Sequence, residues 1–270
     1  MKYVDENGSE FVCTDYKKVS EVEECAGYSL SNGWYVVDKD VAFNEHRMTI
    51  VGDVNLILCD GATLNLYFGI RCGDQYNNGQ NSLTIWSQRK RTGKLECEGF
   101  MDNAAIGGDD DENCGTINIH GGNIRANGAF FASGIGGGED GDGGTIRIYG
   151  GKISANGYKG GAGIGGGDEG NSGDILIYGG NIYAKSYRSY IPFQEVRGAG
   201  IGSGDGGRVN IIHILGGERI ECHGYHAIGS GKDGKDGSVV LGDNIEVEGF
   251  SWNDRYNALS YANDLVLRTQ

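Results

Sequence analysis

Two short markers recur through this chain at a shared interval, and they constrain its fold more than any other feature. Ile-Gly-Gly or Ile-Gly-Ser places Ile at 106, 135, 164, 201 and 228, with spacings of 29, 29, 37 and 27 residues. Gly-Gly falls at 121–122, 150–151, 179–180 and 216–217, again 29, 29 and 37 apart. Markers that move together across an insertion describe one duplicated structural unit. Inside each unit the apolar period is two. Thr145-Ile146-Arg147-Ile148-Tyr149 alternates, as does Lys152-Ile153-Ser154-Ala155, which is the pattern of a strand with one buried face. The runs are short and divided by Gly, Asp and Asn, and no helical period of 3.6 persists.

A unit this small cannot bury its own apolar face, but stacked copies can, because each strand then pairs with its equivalent in the next copy. Stacking brings Ile117, Ile146 and Ile175 into one interior column, with Ile119, Ile148 and Ile177 beside it. A second set is Ile124, Ile153, Ile182 and Ile220, and a third is the Ile of the Ile-Gly marker. Ala126, Ala155, Ala184 and Cys222 fill the narrower corner. Three sets per coil predict an all-β, single-stranded parallel β-helix with three short strands in each coil of about 29 residues, right-handed because parallel crossovers take that hand. A flattened two-sheet roll is the alternative. The 51 Gly and single Pro agree. Tight corners need positive φ, and Pro would remove ladder hydrogen bonds. Residues 46–51, 54–58, 63–66 and 82–86 read as degenerate coils. The division predicted is a capping segment at 1–45, the β-helix at 46–249 and a second cap at 250–270, all one structural domain.

Composition excludes several functions. The formal charge of −14 argues against nucleic acid and anionic membrane as partners, since both require clustered Lys and Arg. No apolar run is long enough to cross a membrane as a helix. The glycines are not phosphate loops, because no GxxxxGK[ST] occurs and no helix follows them. The seven Cys show no zinc spacing and read as small buried apolar residues, with a Cys13–Cys25 link conceivable.

The segment Gly33-Trp34-Tyr35-Val36-Val37, then Val54-Asn55-Leu56-Ile57-Leu58-Cys59-Asp60-Gly61-Ala62-Thr63-Leu64, then the repeated Ala-Gly-Ile-Gly-Gly-Gly and Ile-Tyr-Gly-Gly, resembles a family of Gly-rich repeat proteins of anaerobic gut and rumen bacteria. The resemblance runs over about residues 28–250. It implies a pectate-lyase-like β-helix in a surface or secreted protein of carbohydrate-binding-like character, with no catalytic motif to carry over. The first residues carry no basic and apolar signal segment. The expected location is therefore secreted or cell-surface with the signal absent from this chain, and a cytoplasmic location stays open.

A solenoid turns repeated positions into stripes, and two stripes are unusual. The loop after each Ile-Gly marker carries Asp109, Asp110 and Asp111, then Glu139, Asp140 and Asp142, then Asp168 and Glu169, then Asp205. Hard oxygen ligands on Gly-rich loops suit Ca²⁺, while a solvated charge row is the plainer reading. The turn after the second alternating strand carries Phe100, then Phe130 and Phe131, Tyr158, Tyr187, Tyr190 and Phe193, and Tyr225. The extra residues of the long repeat lie in that turn, and insertions of this kind map to the binding face. Exposed rings offer apolar platforms for sugars, and Arg188, Glu195 and Arg197 supply polar contacts. Packing of these rings over the corner is the competing reading. The sequence thus points to a non-catalytic glycan-binding or adhesive module, possible calcium stabilisation included. A polysaccharide lyase or glycoside hydrolase and a structural spacer are the alternatives. No organic cofactor is implied. The only carboxylate that breaks the repeat is Glu195, beside Arg197.

Overall fold

The computed structural model describes residues 1–22, 28–73, 81–191, 194–248, 259 and 262–270. The repeats stack as equivalent coils in parallel register. Each regular coil has three strands: an Ile-Gly strand such as Ile135–Gly136, a first alternating strand such as Thr145–Ile148, and a second alternating strand such as Lys152–Gly157. Between residues 106 and 186 each of these strands pairs in parallel with its counterpart in the next coil in constant register: Ile135 faces Ile164, Ile146 faces Ile175 and Ile153 faces Ile182. The chain is a parallel β-helix.

The interior columns extend further than the repeat markers do. One runs Tyr35, Leu56, Ile85, Ile119, Ile148, Ile177, Ile214 and Leu241 through successive pairings. All of these side chains are buried. Each buried aliphatic residue contributes about 1.5–3 kcal/mol relative to exposure. The early coils predicted from sequence are present as Met48–Leu58, Thr63–Leu66 and Ser82–Ser87. Parallel stacking also reaches back into the expected N-terminal cap, since Ser29–Val37 pairs with Met48–Leu58 and Val41–Phe43 with Thr63–Leu66. Before that, Lys2–Val4 and Glu10–Val12 form a hairpin laid against the side of the helix, where Val4 meets Ser87 in antiparallel sense.

At the other end Asp264–Thr269 runs antiparallel between two strands of the coils, Arg219–His223 and Ile245–Val247. Of the residues assigned to the C-terminal cap, Trp252, Tyr256 and Tyr261 lie outside the described residues. So does Cys25, and with it the conceivable link to Cys13. The six described cysteines are buried. Burial pushes the Cys59 thiol up to about 11 and that of Cys72 to about 12, and raises Cys97 and Cys222 as well.

The coils approach closely enough that glycine is required at one repeated position. Gly107, Gly136, Gly165, Gly202 and Gly229 form a column with φ between +133° and +147°. A Cβ at Gly136 would fall 1.9 Å from the carbonyl oxygen of Gly165. Neither atom can move without breaking ladder hydrogen bonds. Gly136→Ala should therefore lower stability by more than the ~1 kcal/mol of an ordinary glycine replacement, and the drop in Tm by differential scanning calorimetry should exceed that of Gly61→Ala. Gly61 is a turn glycine with nothing within 4 Å of an added Cβ.

Candidate functional site

The three strands create three corners, each built from one of the repeated sequence features. The acidic loop joins the Ile-Gly strand to the first alternating strand. Gly-Gly joins the two alternating strands. The aromatic turn joins the second alternating strand to the next Ile-Gly strand.

The aromatic corner contains a groove of about 760 Å³ lined by Glu98, Gly99, Phe100, Met101, Asp102, Asn127, Gly128, Ala129, Phe130 and Tyr158. Phe100 is 45% exposed, Met101 66% and Phe130 57%, which is unusual for side chains so apolar. Phe100 meets Phe68 edge-on, at 4.8 Å between ring centroids. The Lys159 ammonium lies 3.8 Å from the Phe130 ring centre and 5.3 Å from that of Phe131. The remaining rings of the stripe behave differently. Tyr158 and Tyr187 stack at 4.6 Å with planes 7° apart, so each covers a face of the other. Burial, and then the neighbouring Tyr187, raises the Tyr158 hydroxyl above its ordinary pKa. Tyr225 packs edge-on against His226. The stripe is therefore two surfaces: a Phe-lined groove, and a Tyr stack in which neighbouring rings cover one another.

The insertion forms a small antiparallel hairpin of Ser189–Ile191 and Gln194–Val196, with Tyr190 opposite Glu195. Glu195 is paired with Arg188 at 2.7 Å, and this pull holds its carboxyl below the usual range. The Arg188 guanidinium also lies 5.5 Å from the centre of the Tyr190 ring, which is 60% exposed. Arg197 instead turns toward the body of the helix, where burial disfavours its charge and its backbone N–H donates to Asp205 at 3.0 Å. Phe193 lies outside the described residues.

The acidic corner separates into groups with different partners. Asp109 is engaged by Arg47 at 2.7 Å and Arg71 at 3.2 Å, and Arg71 also holds the buried Glu112 at 2.8 Å. These two arginines come from early coils whose register is faint in the sequence. Asp142 sits in a ladder between Asn113 and Asn171, where its carboxylate accepts from the Asn171 backbone and side chain, both at 2.8 Å. Two adjacent columns remain, identified by backbone bonds from one coil to the next: Asp110, Glu139, Asp168 and Asp205, beside Asp111, Asp140 and Glu169. Burial, then like charge, raises the carboxyls of Glu139, Asp140 and Asp168, and Asp168 reaches about 7. Burial raises Asp205 too. Among the described residues no group of three or more His, Cys, Asp or Glu side chains has metal-holding geometry.

The acidic and aromatic corners are joined. The Glu139 N–H donates to the Asp102 carbonyl at 2.9 Å, and that of Asp168 to the Phe131 carbonyl at 2.6 Å. Asp102 lines the groove, and its carboxyl is raised by burial and by Asp110. The groove thus has an apolar floor and a negative edge. Glu98, Met101, Asp102 and Asn127 were not legible as site residues in the sequence, because the columns they belong to change residue type between coils.

A further column forms at the end of the first alternating strand of successive coils. Trp86 and His120 stack at 3.9 Å, His120 and Tyr149 at 4.5 Å, and Tyr149 and Tyr178 at 5.0 Å, with planes within 6° of parallel. Each of these residues directly follows the last interior residue of its strand, and that shared position was the signal available. Tyr3 of the N-terminal hairpin packs on Trp34 and Trp86, and Glu6 meets His120 Nδ1 at 2.8 Å.

A family model described as a beta helix repeat matches residues 117–139, 146–168 and 175–205. Each match opens on the first interior Ile of an alternating strand and ends in the acidic loop of the following coil. No curated protein and no solved structure matches the chain.

The acidic columns give a signed pH dependence. Asp168 titrates near 7 in the fold against 3.8 as its ordinary value, so between those values the folded state holds a proton that the unfolded chain releases. Its stabilising protonation is complete at low pH and is lost as pH rises through about 7. Tm should therefore fall from about pH 4 to about pH 7 and level off above on this account, and Asp168→Asn should remove a part of order 1 kcal/mol, or about 2–4 °C. Differential scanning fluorimetry across that range checks both.

Proposed function

We propose that this β-helix is a non-catalytic glycan-binding or adhesive module of a secreted or cell-surface protein, and that its aromatic-corner groove takes the polysaccharide. The observation that carries this reading is the exposure of Phe100 and Phe130 in successive coils beside Glu98, Asp102 and Asn127. Phe100 and Phe130 stand in the same turn of adjacent coils, one place out of register with each other, and the coils are stacked about 4.8 Å apart, close to the length of one sugar unit. Apolar rings accept the C–H face of a sugar, while carboxylates and amides at the rim accept and donate to its hydroxyls. The negative edge favours neutral or cationic sugars over uronates unless a cation screens it. Calcium at the acidic columns would serve that screening and would also stabilise the coils by binding the native state.

Polysaccharide depletion assays test the reading. Wild-type protein should be removed from solution by at least one insoluble neutral or amino-sugar polymer, such as cellulose, mannan, chitin or chitosan. The double variant Phe100→Ala/Phe130→Ala should lose at least tenfold in affinity with its thermal melt unchanged. Retention by none of these polymers would leave the spacer reading, and release of new reducing ends would favour the hydrolase. A melt with calcium and then EDTA tests the metal separately: a shift of several degrees supports it, and superimposable curves remove it.

A further inference from the structure

A second groove, of about 400 Å³, lies at the Gly-Gly corner, between the tip of the N-terminal hairpin and the C-terminal strand. Tyr149 and Tyr178 stand along it, and Glu6, Asn7, Arg91 and Glu218 form its polar walls. Its floor is the backbone of Gly150-Gly151, Gly179-Gly180 and Gly217, where no side chain holds a ligand away from the main chain. The walls are fixed in place. Arg91 donates to the carbonyls of Asp5 and Glu6 at 3.2 and 2.7 Å, and Glu6 meets His120 at 2.8 Å.

The chain itself lays one hydroxyl on this floor. The Gly217 N–H donates to the Thr269 hydroxyl at 2.8 Å, and the same hydroxyl donates to the Gly217 carbonyl at 2.9 Å. One hydroxyl thus serves as acceptor and donor on a glycine of the floor. Gly180 and Gly151 occupy the same column one and two coils earlier, with φ of +100° and +104°. Their carbonyls accept from the next coil, from Glu218 at 2.9 Å and Asn181 at 2.8 Å. Their N–H groups have no hydrogen-bond partner among the described residues. Two donors therefore repeat at the coil spacing beside tyrosine rings and polar walls, and the next donor along is already occupied by a hydroxyl.

We propose that this groove binds a neutral oligosaccharide, whose successive hydroxyls accept from Gly151 and Gly180 as the Thr269 hydroxyl accepts from Gly217. The exposed side of Tyr178 packs against the sugar ring, and Glu6 and Glu218 accept from further hydroxyls. An anionic ligand is disfavoured, because both wall carboxylates face it and Arg91 is committed to the hairpin. This site lies at a different corner from the Phe100–Phe130 groove and does not rest on the reading of that groove.

The test uses the full chain carrying Phe100→Ala/Phe130→Ala, so that the other groove does not contribute. Cellohexaose, maltohexaose and mannohexaose are titrated by isothermal calorimetry, and amide exchange is followed with and without the sugar. At least one hexasaccharide should bind, and the amides of Gly151 and Gly180 should exchange more slowly in its presence. Adding Tyr178→Leu should weaken that binding at least tenfold. The substitution suits the fold, because Leu215 holds the equivalent position in the following coil, 42% exposed. Absence of binding by all three sugars overturns the proposal. So does affinity unchanged by Tyr178→Leu, or protection that appears without Gly151 and Gly180. Failure of the Phe groove in the depletion assay leaves these outcomes untouched.

Discussion

The backbone hydrogen bonds between coils govern everything else in this molecule. They require each residue to sit one strand spacing above its counterpart, and they act along the whole perimeter at once. Any residue that helps one coil is therefore repeated, and any residue that obstructs one coil obstructs the stack. This is why the interior is a set of nearly uniform Ile columns, and why glycine recurs where a Cβ would strike the carbonyl of the next coil. The core does not depend on an irregular fit of unlike side chains. It depends on like side chains spaced by the ladder, with cooperativity passed between neighbours.

The same constraint shapes the surface chemistry. Outward residues of one column are forced to within about 5 Å of each other whatever their type. Rings respond by stacking, as along Trp86, His120, Tyr149 and Tyr178. Amides buried at a corner respond by bonding in sequence, as Asn156 does to Asn127 at 2.7 Å. Carboxylates have no such attractive arrangement, and at Asp168 their like charge adds to burial in raising the proton affinity.

Between residues 106 and 228 the interior could be read from period and spacing. Strict alternation and a constant interval left each Ile one place to go, and the columns of Ile106, Ile117 and Ile124 stand as expected. The corners were legible in membership but not in orientation. Knowing that Tyr158 and Tyr187 share a column does not say that their planes lie parallel and hide one another. The Arg47 and Arg71 partners of Asp109 were invisible because their coils lack the Ile-Gly-Gly marker that sets the register. The Gly-Gly groove was missed for a further reason. Its walls come from Glu6 and Thr269, near opposite ends of the chain, and no periodic reading joins positions that occur once.

The antiparallel strand Asp264–Thr269 displaces Ile245–Val247 from the place beside Arg219–His223 that coil order would give it. On the other alternating face Ser238–Leu241 follows Ile211–Ile214 with nothing between. The top of the tower is thus stepped, with one side a storey higher than its neighbour and one strand reversed. A flat first coil from another copy could not dock on all sides together. The reversed strand interrupts the parallel ladder that end-to-end growth of a solenoid would extend.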